Sequence, residues 1–129
     1  MSIFREYDIR GIVGKDLTAE VAESIGCAYA TLALERGCKI VAVGRDGRLS
    51  SLELRDRLIA GICSTGLNVV DIGVCATPIL YFALFNLSVD GGVMITGSHN
   101  ASEYNGFKIC VGKAALYGED IQQLKEMLG

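Results

Sequence analysis

Three times between Thr18 and Thr96 a helical repeat is followed by a short β-branched run, and this alternation limits the fold more than any other feature. From Thr18 to Arg36, Val21, Ile25, Ala28 and Leu32 recur at spacings of four, three and four, which puts them on one helical face. Thr18 supplies an N-cap and Gly37 a left-handed stop. KIVAVG, Lys39 to Gly44, reads as a buried strand. Ser50 and Glu53 spell a capping box, so a second helix starts near Ser51, lines one face with Leu54, Leu58 and Ile62, and ends at Gly66. Leu67 to Gly73 is the next strand. Thr77 as N-cap and Pro78 at the first helical position open a third helix that runs to about Leu87. Gly91 to Thr96 is a third strand and Phe107 to Val111 a fourth. GEDIQQLKEML closes the chain as a helix, with acids in its first turn and Lys125 later, as the helix dipole favours.

Strands separated by helices imply right-handed crossovers and a parallel core covered on both faces. The expected fold is α/β, a three-layer α/β/α sandwich around a four-stranded, mostly parallel mixed sheet. The fourth strand follows the third too closely for a helical crossover, which permits it to run antiparallel. No repeat, low-complexity stretch or linker divides the chain, so residues 1–129 read as one domain, either complete or cut from something longer.

Composition removes several classes of function. Half the chain is apolar and 21% is charged, as in a globular domain. The net charge is -3, and Arg5, Arg10, Lys15, Arg45 and Arg48 stand singly, which argues against a nucleic-acid footprint. No apolar run approaches the roughly 20 residues needed to cross a bilayer. The start, MSIFREYDIRG, lacks the apolar core of a secretory signal. The five cysteines are odd in number, have no C-x-x-C spacing and sit in apolar stretches. Reduced thiols in a cytoplasm fit them better than a disulfide framework.

The chemistry gathers in TGSHNASEYNGFKI, Thr96 to Ile109, which holds the only histidine. The stretch leaves the carboxyl end of the third strand, where open α/β sheets bind ligands. Gly97 lets the backbone turn sharply and presents Ser98. His99 can exchange protons near neutral pH, and Lys108 brings a fixed positive charge. A hydroxyl, an imidazole, an ammonium and several backbone N–H groups together suit a phosphoryl group. On local chemistry alone an ordinary turn stays equally open. A serine hydrolase does not fit, because glycine directly precedes Ser98 and adjacent Ser98 and His99 side chains diverge. Neither the Walker signature nor G-x-G-x-x-G occurs, so a nucleotide site has no support.

The same stretch resembles the active-serine loop of the α-D-phosphohexomutases, the phosphomannomutase/phosphoglucomutase family, which reads T-A/G-S-H-N-P followed by Y-N-G-F/I-K. FREYDIRG resembles that family's F-R-x-Y-D-I-R-G, VGRDGRLSS its V-G-x-D-x-R, and VVDIGVCATPILYFA its D-x-G-x-x-x-T-P. These blocks run from Phe4 to Ile109 in the family's order, and the similarity is greatest to the bacterial dual-specificity branch. The chain departs at Ala101, where the family carries a stiffening proline. It departs also in length, since the family has four domains and residues 1–129 correspond to the first.

The resemblance implies that Ser98 carries a phosphate and donates it to a hexose 1-phosphate of mannose or glucose. The resulting 1,6-bisphosphate reorients and returns its other phosphate to the serine. It implies Mg2+ bound to Ser98 through that phosphate, with the remaining ligands outside this chain, and glucose 1,6-bisphosphate as activator. By the same resemblance Arg10 and Lys108 stabilise charge, and His99 shuttles a proton or orients the phosphate. Tyr7 and Asn100 belong to the substrate site, with Asn100 also holding the loop through its backbone. Gly11 beside Arg10 reads as room for a ligand to approach the backbone. Arg45 and Arg48 have Asp46, Glu53 and Asp56 nearby to pair with and stay outside the site. The expected partners are hexose phosphates and the remaining domains, with no nucleic acid and no membrane. The isolated domain is expected to be inactive and open to self-association. The rival reading is a non-catalytic phosphosugar-binding or regulatory module.

Overall fold

A computed structural model describes residues 3–128. The elements in chain order are β1 (Ile9–Ile12), α1 (Ala19–Glu35), β2 (Ile40–Arg45), α2 (Leu49–Cys63), β3 (Asn68–Val74), α3 (Thr77–Asn86), β4 (Gly91–Ile95), β5 (Tyr104–Val111), β6 (Ala114–Ala115) and α4 (Glu119–Met127). The strands join in the order β1-β5-β4-β2-β3, with β6 against the end of β5. β2 is parallel to both β3 and β4. β5 is antiparallel to β4 and to β1. The mixed sheet and the reversed strand after β4 match expectation, but the described residues form six strands rather than four. β1 escapes a pattern search because IRGI is four residues long and half of it is arginine and glycine. β6 has only two residues.

The period of two along each strand sends side chains to opposite faces. Ile9, Val41, Val43, Val93, Ile95, Phe107 and Ile109 pack with α1, α2 and α4 in the main core. Ala42, Met94 and Cys110 pack on the other face with Leu80 and Leu84 of α3. The outer side of α3 is apolar too: Ile79, Phe82 and Phe85 are exposed, as is Val74 on the edge strand β3. Among the described residues no helix is long and apolar enough to cross a membrane.

Helix ends follow the sequence in part. Thr18 Oγ1 accepts the Val21 N–H at 3.2 Å and caps α1. Gly37 (φ +87) and Gly66 (φ +94) take the left-handed conformation that glycine tolerates. The Ser50/Glu53 capping box does not form. Arg48 occupies the N-cap of α2 without a side-chain cap bond, and both serines lie inside the first turn. There they accept from the Asn105 amide at 2.8 and 2.9 Å, a long-range bond that outweighs the local one. Thr77 likewise lies inside α3, with Ala76 at the N-cap. All five cysteines are free thiols. Cys38 and Cys110 are buried as expected, and burial pushes the Cys110 thiol up to about 11. Cys63, by contrast, lies on the exposed side of α2.

α1 and α2 approach to backbone contact. A Cβ on Gly26 would overlap the Leu58 carbonyl oxygen, and one on Gly61 would overlap that of Glu23. Tyr29 then ties α1 to the sheet by donating to the Cys110 carbonyl at 2.8 Å. Because the obstructing atoms are backbone, Gly26→Ala and Gly61→Ala should each destabilise the fold by about 1–3 kcal/mol, as overpacking does. Urea unfolding measures this, and a loss below about 0.5 kcal/mol, typical of a surface change, would show that the helices have room to part.

Candidate active site

The parallel pairing of β2 with β4 brings their carboxyl ends side by side, with Arg45 opposite Ile95. Asp46 follows β2 directly, and its N–H donates to the Ile95 carbonyl at 2.8 Å. The Asp46 carboxylate accepts from Ser51 Oγ at 2.6 Å, from the Arg48 N–H at 3.1 Å and from the Gly97 N–H at 3.0 Å. Burial pushes this carboxyl up, but the bonds from Ser51, Gly97, Arg48 and Thr96 outweigh it and hold the group below its ordinary value. Two residues past Asp46, Arg48 reaches over the 96–104 loop. Nη1 donates to the Ala101 and Tyr104 carbonyls at 2.7 and 3.0 Å. Nη2 donates to the Asn100 and Ser98 carbonyls at 2.7 and 3.2 Å. Nε lies 3.3 Å from Asp46 Oδ2.

This arrangement explains Gly97 differently from the sequence reading. The sharp turn is made by Ser98, whose φ of +54 is the left-handed value among the described non-glycine residues. Such a conformation costs a side-chain-bearing residue roughly 1–2 kcal/mol. The Ser98 N–H donates to Thr96 Oγ1 at 2.9 Å, which helps hold it. Gly97 is needed for space, because a Cβ there would run into the Arg48 guanidinium. Gly11 is also a packing glycine: a Cβ would lie 2.8 Å from Ile3 Cγ2 and 3.0 Å from Asp16 Cβ, so the expected room for a ligand is room for its own chain.

The predicted cations meet on a residue that sequence reading missed. Asp8, only 8% exposed, takes Arg10 Nη2 at 2.5 Å and Lys108 Nζ at 3.6 Å on the same carboxylate oxygen. Arg10 pairs across β1 and β5 with Gly106, and Lys108 pairs across β5 and β4 with Met94, which fixes both on the face away from Phe107. Arg10 also faces the loop. In the orientation in which its amide oxygen accepts, Asn100 takes Arg10 Nη1 at 2.7 Å and Nε at 3.1 Å. The Asn100 side chain therefore binds Arg10, not the backbone as expected, while its N–H donates to the Gly97 carbonyl at 3.0 Å. Ser98 and His99 stand exposed at the tip. Tyr7 is 72% exposed, and its ring lies 6.5 Å from that of Tyr117, centroid to centroid.

Asn100, Arg10, Asp8 and Lys108 are thus joined in one chain of polar contacts that starts two residues from Ser98, while Asp46 and Arg48 hold the same loop. A hollow of about 330 Å3 between the starts of α1 and α2, lined by Leu17, Glu20, Ser50 and Glu53 among others, does not include Ser98 or His99. An exposed hydroxyl on this loop, with Arg10 and Lys108 tied to the loop through Asn100 and Asp8, is suited to carrying an anionic group. No cluster of three or more His, Cys, Asp or Glu among the described residues could hold a metal. Asp8 and Asp46 are committed to Arg10, Lys108 and Arg48. Asp46 and Asp8 lie within the VGRDGR and FREYDIRG blocks, and membership of those blocks was the signal that could have found them.

Two outcomes follow from the Asp46 network and the loop. A carboxyl lowered in the folded state stabilises fully above its ordinary value of 3.8 and loses that contribution as pH falls through its folded value. Asp46→Asn should therefore be less stable than the parent near neutral pH, and the gap should narrow between about pH 5 and pH 2. Urea unfolding across that range checks it, and a pH-independent gap would remove Asp46 as a source of acid lability. At Ala101 the N–H donates to no described group. Ala101→Pro should then raise stability by about 0.4–1 kcal/mol through loss of unfolded-state freedom, seen as a higher Tm.

The chain is similar to known proteins along its whole described length. Residues 1–128 match the family model for phosphoglucomutase/phosphomannomutase, alpha/beta/alpha domain I. The chain is 54% identical over 127 residues to a phosphomannomutase/phosphoglucomutase of Pseudomonas aeruginosa, covering 98% of this chain and 27% of that protein. It is 52% identical over 126 residues to a phosphoglucomutase of Neisseria meningitidis, again over 98% of this chain and 27% of the relative. A solved phosphoglucomutase/phosphomannomutase family protein from Burkholderia thailandensis superposes with a TM-score of 0.93 at 46% identity, covering 98% of this chain and 29% of that one. The chain thus spans about a quarter of the length of these relatives. With the six strands, the loop and the four sequence blocks all in place, this chain belongs to the phosphoglucomutase/phosphomannomutase family and corresponds to its α/β/α domain I.

Proposed function

We propose that this chain is the active-serine domain of a phosphohexomutase that interconverts hexose 1-phosphate and hexose 6-phosphate of mannose, glucose or both. The single observation that supports it best is the tip of the 96–104 loop. Ser98 is exposed there in a left-handed conformation, and the Asn100 beside it binds Arg10, which shares Asp8 with Lys108. The reading requires a longer polypeptide, because the site stands open on this chain. The exposed apolar side of α3, with Ile79, Phe82 and Phe85, is the kind of surface another domain covers.

In this reading Ser98 works as a phosphoserine. The O6 hydroxyl of a bound hexose 1-phosphate attacks the phosphorus in line and gives up its proton. The P–Oγ bond breaks, its electron pair goes to Ser98 Oγ, and that oxygen is protonated. The 1,6-bisphosphate then turns end for end, and Ser98 takes the phosphoryl group from C1, leaving hexose 6-phosphate. Charge builds on the moving group's oxygens, so fixed positive charge lowers the barrier. Arg10 and Lys108 supply it, and His99 exchanges the proton or orients the phosphate. Tyr7 and Asn100 hydrogen-bond near the sugar phosphate.

Mg2+ belongs to this proposal only through the phosphate on Ser98. The carboxylates of this chain near the loop are committed to arginine and lysine and do not fit as its ligands. When bound with carboxylates of the longer polypeptide, it would neutralise phosphoryl charge. Glucose 1,6-bisphosphate would prime the serine. A phosphosugar-binding module without catalysis would share the surface but would not phosphorylate Ser98.

The test measures conversion of glucose 1-phosphate to glucose 6-phosphate, with Mg2+ and glucose 1,6-bisphosphate, alongside phosphopeptide mass spectrometry. In the longer polypeptide, label should appear on Ser98. Lys108→Ala and Arg10→Ala should each cost a few kcal/mol of barrier, about 10²–10³ in turnover, with a smaller loss of stability because either change leaves Asp8 the other cation. This 129-residue chain alone should fold and show no turnover. Label on Thr96 or Ser102 instead of Ser98, or Mg2+-dependent turnover by this chain alone, would overturn the proposal.

A further inference from the structure

The donors of Arg48 are all accounted for. A guanidinium has five N–H groups in a fixed fork. Four meet the carbonyls of Ser98, Asn100, Ala101 and Tyr104, and the Nε group lies beside Asp46. None remains for a ligand. Yet these four carbonyls belong to the loop that carries Ser98, and turning them toward Arg48 leaves loop amides without internal acceptors. The Ser98, Asn100 and Tyr104 N–H groups are bonded within the loop. The His99 and Ala101 N–H groups donate to no described acceptor. Backbone amides left in this way next to a left-handed residue are the elements of an anion-binding nest. Gly97 completes the arrangement, because only a residue without Cβ lets the guanidinium lie against the loop.

We infer that Arg48 is a positioning residue for phosphoryl transfer: it collects the loop carbonyls, holds Ser98 in its left-handed conformation and leaves the His99 amide for the phosphoryl oxygens. The inference rests on the reading of Ser98 as the phosphorylated serine. Arg48 touches no substrate itself. Lysine cannot replace it, since a single ammonium has three donors and cannot fork across four carbonyls while pairing with Asp46.

The experiment compares the parent with Arg48→Lys and with Gly97→Ala, which should push the same guanidinium off the loop by another route. In the 15N-labelled 129-residue chain, exchange of the Ser98, Asn100 and Tyr104 amides should be at least about tenfold faster in both variants, while amides in the middle of α1 keep their protection. In the longer polypeptide, turnover should fall about tenfold to a hundredfold, with KM for glucose 1-phosphate within about twofold. In the Arg48→Lys background, Gly97→Ala should add less than it costs alone, because both act on one contact. Unchanged loop exchange overturns the inference, as does a raised KM with turnover intact, which would make Arg48 a substrate contact. If the parent polypeptide carries no phosphate on Ser98, the proposed function fails, and the exchange measurement still decides whether Arg48 holds the loop.

Discussion

The carboxylate of Asp46 is the point on which this edge of the molecule depends. It stands at the end of β2 and joins the start of α2 through Ser51, the end of β4 through Gly97, and the loop through Arg48. One group in a half-buried place, where hydrogen bonds are strong and an unmet partner is costly, thereby ties its own strand end and the helix that follows to a loop 51 residues further along the chain. The buried Asn105 extends the network by donating to Ser50 and Ser51, so the start of β5 is held to the same helix end. The loop between β4 and β5 is therefore clamped at both ends and along its middle.

That clamp gives a physical reason for several residues that look unrelated. Serines at the start of α2 forgo a local cap because longer-range partners claim them. Gly97 is small because a guanidinium lies on it. Ser98 can bear a left-handed backbone because its neighbours' carbonyls are held by Arg48. Strain of this kind persists where the surroundings over-determine it, and it recurs at sites that bind or react. Opposite the clamp, Asp8 holds Arg10 and Lys108 together, and Arg10 reaches the loop through Asn100. Asn100 is gripped from two sides, by Arg48 on its carbonyl and by Arg10 on its amide.

The alternation of helical repeats and β-branched runs determined the layered α/β fold, because burial of one face per element follows from the period of the sequence. The short spacing after β4 leaves no room for a crossover helix and so permitted the reversed strand, which the pairing of β5 with β4 then decided. The tip residues Ser98 and His99, and the charges of Arg10 and Lys108, were legible through the sequence blocks that hold them. The tertiary structure alone decided which arginine matters to the loop. Arg48 has Asp46 two residues away, so its sequence shows an ordinary ion pair, and only the parallel pairing of β2 with β4 brings the loop carbonyls beneath it. Asp8 and the strand β1 were decided in the same way. Four residues with an arginine and a glycine have no period of their own, and they become a strand because β5 offers them a partner.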